Sequence, residues 1–216
     1  MLLIPSPKID MTVGELAARV GAVPLWRIRS APIPGTAVEE DVARIRREES
    51  LLCELIDGVL VEKAVSNKTA LLAARLIEIL GQFVSSRRLG WVLGPDGFLW
   101  VSPTKLRAPD VSFIARDQIP ARRMPDEGYL HLAPALAVEI FSPGNTQREL
   151  EEKRQECFLA GTQLFWIVYP DRQEVEVSTG PDTPHTLGRN DTLECGQLLP
   201  GFSLKVADLF ATLDLS

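Results

Sequence analysis

Histidine and cysteine are scarce: His131, His185, Cys53, Cys157 and Cys195 are all that 216 residues contain. The histidines lie in polar, loop-like contexts without metal-ligand spacing, and the cysteines form no CxxC pair, so neither a zinc site nor a disulfide framework is indicated. The thiols read as reduced and the compartment as cytoplasmic. Cationic excess is missing too. Lys plus Arg number 23 against 29 Asp plus Glu, a net charge of -6, which argues against a long phosphate-tracking groove while leaving room for a local basic patch. No apolar run approaches the roughly 20 residues of a membrane span. MLLIPSPKID lacks the basic start and long apolar core of a signal peptide. Ser142 has no GxSxG elbow around it, which sets aside a serine hydrolase.

What is present fits an ordinary soluble globular chain, 45% hydrophobic and 24% charged. The length implies one principal domain, residues 36–216, behind an N-terminal extension over 1–35 with a short helix and a linker. The first ten residues, interrupted by proline, are expected to be mobile. Thr12 and Glu15 have capping-box spacing for a helix ending near Gly21, and the prolines of PLWRIRSAPIPG mark a linker without regular pairing. Thr36 and Glu39 repeat the box before VEEDVARIRREES, where Val38, Val42 and Ile45 fall at helical spacing. Arg44, Arg46 and Arg47 then read as a solvated helix face.

Two apolar runs in LLCELIDGVLVEKAV meet at Asp57-Gly58, a hairpin signal because glycine accepts positive φ in a tight turn. Glu54 and Asp57, an odd number apart, point to opposite faces of a strand. TALLAARLIEILGQFVSSRR carries Leu72, Leu76, Ile79, Leu80 and Phe83 at helical spacing, and Arg87 and Arg88 suit the negative end of its dipole. WVLG and GFLWVSP are short strands, ARDQIPARRMPDEGYLHLAP a loop with one helical turn, EVEVS an alternating strand, and LPGFSLKVADLF a turn with a docking helix. Trp91, Trp100 and Trp166 sit in strand-like runs and read as core.

The chain is organised around LRAPDVSFIA and PALAVEIFSP, two strand-like segments, followed by the helix QRELEEKRQECFLAG and the strand LFWIVYP. Asp110 and Glu139 each stand among apolar or small residues, where an ionised carboxylate costs several kcal/mol unless compensated. Either they are structural acids with partners of their own, or they converge. Two carboxylates on neighbouring strands, with the backbone carbonyl of Ile140, supply a hard-oxygen half-shell for Mg²⁺ or Mn²⁺. Lys153, one helix on, could aim an ammonium back at that point to orient a water or stabilise phosphate charge, or it is a solvated lysine. Gln147 and Arg148 open the same helix, close enough to touch a phosphate or simply to serve the helix end.

Taken in this order, ELIDGVLVEK, APDVSFI, LAVEIFSP, EEKRQECFLAGTQLFWIVYP and LPGFSLKVADLF resemble the Uma-type family of restriction-endonuclease-like PD-(D/E)XK nucleases. The resemblance implies an α/β fold in which a mixed central β-sheet is flanked by helices. It also implies a Mg²⁺-dependent endonuclease hydrolysing DNA phosphodiesters, and a homodimer. By position Asp110 and Glu139 match the motif acids, and Glu54 matches the acid contributed from the N-terminal part. Phe141 occupies the position where the general pattern has its lysine, so that role falls to Lys153. Many relatives carry a histidine at the start of the helix after ELIDG; here SNKTALL has Lys68 and none. That absence and the acidic net charge leave a second reading, a non-catalytic nuclease-fold module acting in regulation or protein association.

Overall fold

Alternation along LAVEI decides where the layers lie. In a strand successive side chains face opposite ways, and all five residues of β7 (Leu136–Ile140) are buried, so both faces are covered. The structure, a computed structural model, describes residues 11–125 and 128–214. Leu136, Val138 and Ile140 join the main core with Leu72, Leu76, Leu80 and Val84 of α3 (Asn67–Arg87). Ala137 faces the other way, into a smaller core with Leu150 and Cys157 of α4 (Gln147–Ala160) and Phe165 and Ile167 of β8 (Leu164–Tyr169).

Around β7 a six-stranded sheet runs β10-β9-β8-β7-β6-β3, using β3 (Gly90–Leu93), β6 (Val111–Ala115), β9 (Glu174–Ser178) and β10 (Pro184–Leu187). Only β7 and β8 pair in parallel, and α4 is the crossover such a pair requires. The result is the mixed central sheet flanked by helices that the motif order implies. After the pair β11 (Thr192–Glu194) and β12 (Ser203–Lys205), α5 (Val206–Phe210) docks into the main core through Val206, Leu209 and Phe210. By length and composition α3 could span a membrane, but its apolar stripe, Leu72, Leu76, Leu80 and Val84, is buried in the main core against the sheet.

A second sheet, β2-β1-β5-β4, combines β1 (Cys53–Ile56), β2 (Val59–Glu62), β4 (Leu99–Ser102) and β5 (Lys105–Arg107). Asp57 and Gly58 turn the hairpin with φ of 49° and 79°, the doubly left-handed geometry for which Asp-Gly is suited. LRAPDVSFIA is therefore not one strand. It is β5 of the small sheet, a break at Ala108-Pro109-Asp110, and β6 of the large sheet. Pro109 has no N–H to give a ladder, and the chain changes sheets there.

The N-terminal part departs from expectation at the start of α2 and in the linker. Thr12 does cap α1 (Val13–Val20), but the Thr36–Glu39 box does not form: Asp41 accepts from the Val38 N–H at 3.1 Å at the start of α2 (Glu39–Glu49), and Thr36 Oγ1 donates to the Ile33 carbonyl instead. The Ala37 N–H donates to the Gly58 carbonyl, which holds the chain on the hairpin for one further residue and leaves Val38 exposed while Val42 and Ile45 are buried. The linker stretch is also paired, since Ile28 bridges Val61 and Val20 and Val23 pack on Ile56, Val59 and Val61. Its prolines flank the bridge rather than occupy it. The opening segment, residues 1–10, lies outside the described residues.

Candidate active site

Because Ala137 faces α4, Glu139 does as well, two residues on. The inward stripe of α4 is Leu150, Lys153, Arg154 and Cys157, all buried, so Lys153 is presented to the sheet and not to solvent. Thr146 fixes where that stripe begins by accepting from the Glu149 N–H at 3.0 Å, and Gly161 ends the helix at φ 109°. Lys153 Nζ donates to Glu139 Oε1 at 3.0 Å and to Glu54 Oε1 at 3.1 Å. Glu54 arrives from β1, on the face opposite Cys53 and Leu55, which pack with α2. Its oxygens also accept from Arg107 Nη1 at 3.0 Å and from the Ala108 N–H at 2.9 Å. Arg107 is held from behind by Glu156 at 2.6 Å.

Asp110 stands at the break between the sheets, just ahead of β6. Its Oδ2 accepts from the Ile140 N–H at 2.8 Å, and its Oδ1 meets Lys63 Nζ at 3.0 Å. Lys63 also donates to the Ala108 carbonyl. The side chains of Glu54, Glu139, Lys153 and Lys63 are 5% exposed or less, whereas that of Asp110 keeps 13%. Asp110 is thus the acid through which the cluster meets solvent.

The electrostatics separate the acids. Burial would push Glu54 up, but Lys153 and then Arg107 overcome it and hold its carboxyl well below the usual range. Burial likewise raises Glu139, and here Lys153 does not win: with Asp110 adding like charge, the carboxyl is pushed up to about 7. Burial opposes the Lys153 ammonium, yet Glu139 and Glu54 outweigh it and keep the lysine charged. One carboxylate is therefore firmly ionised, and another would ionise fully only with more positive charge nearby.

That deficit is the basis for asking whether a divalent ion fits. Among the described residues no three His, Cys, Asp or Glu side chains form a cage. The donor set available is Asp110, Glu139 and the Ile140 carbonyl, hard oxygens in the number with which Mg²⁺ is commonly held while it keeps several waters. The chemistry of those donors suits a hard divalent cation, and Asp110 and the Glu139 strand are joined through the Ile140 N–H at 2.8 Å.

Other sequence-selected residues fall elsewhere. Gln147 accepts from the Tyr169 hydroxyl and Arg148 pairs with Glu152, so neither is drawn to the acids. Lys68 pairs with Asp171. His131 stacks on Trp100 with ring centroids 5.9 Å apart, and His185 lies exposed on β10. Phe141 packs against Tyr169. Lys63 and Arg107 were not singled out from sequence. A signal existed for Lys63: it closes the buried run VLVE on the strand paired with that of Glu54, so whatever faces Glu54 must lie near it. Arg107 left a weaker one, an arginine two residues before Pro109.

A junction of two sheets with acids and a buried lysine, crossed by a parallel β-α-β unit, defines a nuclease-like fold. Residues 39–207 match Uma2, described as "Putative restriction endonuclease", and the chain belongs to that family. Among solved structures it is similar to a crystal structure titled a "putative nuclease belonging to DUF820" from Anabaena variabilis ATCC 29413. The identity is 21% and the TM-score 0.67, covering 76% of this chain and 92% of that one. No curated protein matches.

Proposed function

We propose that the chain is a Mg²⁺-dependent endonuclease that hydrolyses DNA phosphodiester bonds, with Mn²⁺ able to substitute. The observation that supports it most is geometric: Glu139 and Glu54 converge on one buried ammonium, Lys153 Nζ, at 3.0 and 3.1 Å, while the part-exposed Asp110 accepts from the Ile140 N–H at 2.8 Å, one residue beyond Glu139. A buried acid beside a like charge, its carboxyl pushed up, is the kind of group from which functional centres are built. Asp110, Glu139 and the Ile140 carbonyl would hold the ion, which supplies charge to polarise a phosphoryl oxygen and to acidify water. Lys153 orients Glu139 and can steer an attacking water. Glu54, pinned by Arg107, fixes Lys153 and is a positioning residue. Lys63 fixes the rotamer of Asp110 and brings a cation to where a scissile phosphate would approach.

Supercoiled plasmid and single-stranded DNA incubated with Mg²⁺ or Mn²⁺ test this. The wild type should nick, and Asp110→Ala should lose on the order of 100-fold in rate, the scale of removing one element of charge stabilisation. Equal nicking by Asp110→Ala sinks the assignment.

One observation favours the non-catalytic reading: each acid already has a cation, Asp110 with Lys63, Glu139 with Lys153 and Glu54 with Arg107. Thermal melting separates the two. A metal centre gains stability with added Mn²⁺ by mass action, whereas a structural ion cluster does not. For the assembly we propose a homodimer, supported by the family resemblance alone; light scattering at the single-chain 23.8 kDa would refute it.

A further inference from the structure

We propose that Trp26 is a stacking platform for an unpaired nucleobase of the strand being cut, an inference that rests on the nuclease reading above. Trp166 is fully buried and Trp91 and Trp100 are half-buried, but Trp26 is 73% exposed. A lone exposed apolar residue needs no explanation. This one lines a cleft of about 460 Å³ with Leu51, Val65, Lys63, Ser142 and Gly144. Three of those link the cleft to the acids: the Lys63 ammonium lies 3.0 Å from Asp110, and Ser142 and Gly144 come two and four residues after the end of β7, the strand that carries Glu139. Leu51 at 37% and Val65 at 76% are exposed beside the indole.

The indole is placed by its neighbour. Arg27 is 3% exposed and donates to Glu149 at 2.8 Å, to the Glu62 carbonyl at 2.7 Å and to the Gly144 carbonyl at 3.2 Å, tying this turn to α4, β2 and the cleft floor. A Cβ on Gly144 would stand 2.9 Å from the Ala64 Cβ and 3.2 Å from Trp26 Cη2, so a glycine is what lets the ring lie against the backbone. Residue 26 also precedes the 39–207 family match, so the platform belongs to the part of this chain beyond the shared domain.

The chemistry narrows the occupant. A net charge of -6 leaves little electrostatic attraction for backbone tracking, whereas a flat indole face attracts any base that is out of a helix and is indifferent to which base it is. A base inside a duplex offers no free face. The platform therefore favours single strands, flaps or extruded nucleotides over intact duplex.

Fluorescence anisotropy without divalent ions, so that nothing is cut, tests this with a labelled single-stranded oligonucleotide, the same strand carrying one abasic position, and a blunt duplex. Trp26→Ala should weaken single-strand binding about tenfold, within the range for losing one base–aromatic stack. Trp26→Phe should retain most of it, and duplex binding should not change. Three results overturn the proposal: Trp26→Ala binding single strands as the wild type does, equal losses on both DNA forms, or a change of oligomeric mass with no change in DNA binding. Failure of the nuclease reading is separate, since it appears as Asp110→Ala nicking plasmid at the wild-type rate with the stacking contrast intact.

Discussion

Two buried ion clusters lie at opposite ends of one turn of chemistry around α4, and they are built differently. Arg27 and Glu149 are matched one to one: the guanidinium spends its donors on Glu149, Glu62 and Gly144, while Glu149 also accepts from Asn145 and Thr146. In the other cluster three acids share Lys153, Arg107 and Lys63, and Glu139 stays raised to about 7. The first has its hydrogen bonds made and ties segments together. The second has one cation for each acid but divides Lys153 between Glu139 and Glu54, and Asp110 leaves it partly open to solvent. Burial alone does not distinguish the two clusters; how many acids share each cation does.

The largest expected break in this contrast is Arg27→Met, which strands the Glu149 carboxylate and should cost about 3–5 kcal/mol in urea unfolding. Arg27→Met with Glu149→Leu should recover most of it, and the Mn²⁺ response should persist in both. Glu139→Gln should do the converse, abolishing Mn²⁺ stabilisation and nicking on the order of 100-fold while leaving metal-free stability within about 1 kcal/mol, because a neutral amide replaces a carboxyl that burial already drives toward neutrality.

The pH dependence sharpens the point. Glu139 sits at about 7 when folded against an ordinary 4.5, so its contribution favours the fold below 4.5 and is lost as pH rises through 7. Glu54, lowered, has the opposite sign: its contribution is present above its ordinary value and lost as pH falls toward its folded one. Thermal melts from about pH 4.5 to 7 and just beyond should therefore show the Glu139 decline in the wild type and not in Glu139→Gln, with Mn²⁺ stabilisation growing across the same range because the ion needs the ionised carboxylate. A Mn²⁺ effect independent of pH there would count against Glu139 as a ligand. The smallest effect is Thr146→Ala, about 1 kcal/mol for a lost helix cap, with nicking little changed.

Much of this was legible in the sequence wherever one element's own periodicity decided the outcome. The apolar run around Glu139 marked a buried strand and Asp57-Gly58 announced its turn, whereas the helix pattern left Lys153 open between the acids and solvent, a choice that its burial on α4 decides. What escaped depended on contacts between elements. That Asp110 sits at a change of sheets is invisible in LRAPDVSFIA, because nothing local says that β5 and β6 find different partners. Lys63 and Arg107 look like surface cations until the hairpin is laid over the β7 end. The extension was read as a linker from its prolines, yet the Ile28 bridge and the Arg27 anchor depend on residues more than thirty positions away.

The break at Ala108-Pro109-Asp110 puts the centre at a seam between two sheets. Glu54 is carried by the small slab and Glu139 by the large one, and a single ammonium measures the gap between them. The two sheets are therefore tied to each other through one side chain of α4 that belongs to neither, and losing that ammonium would cut both ties together.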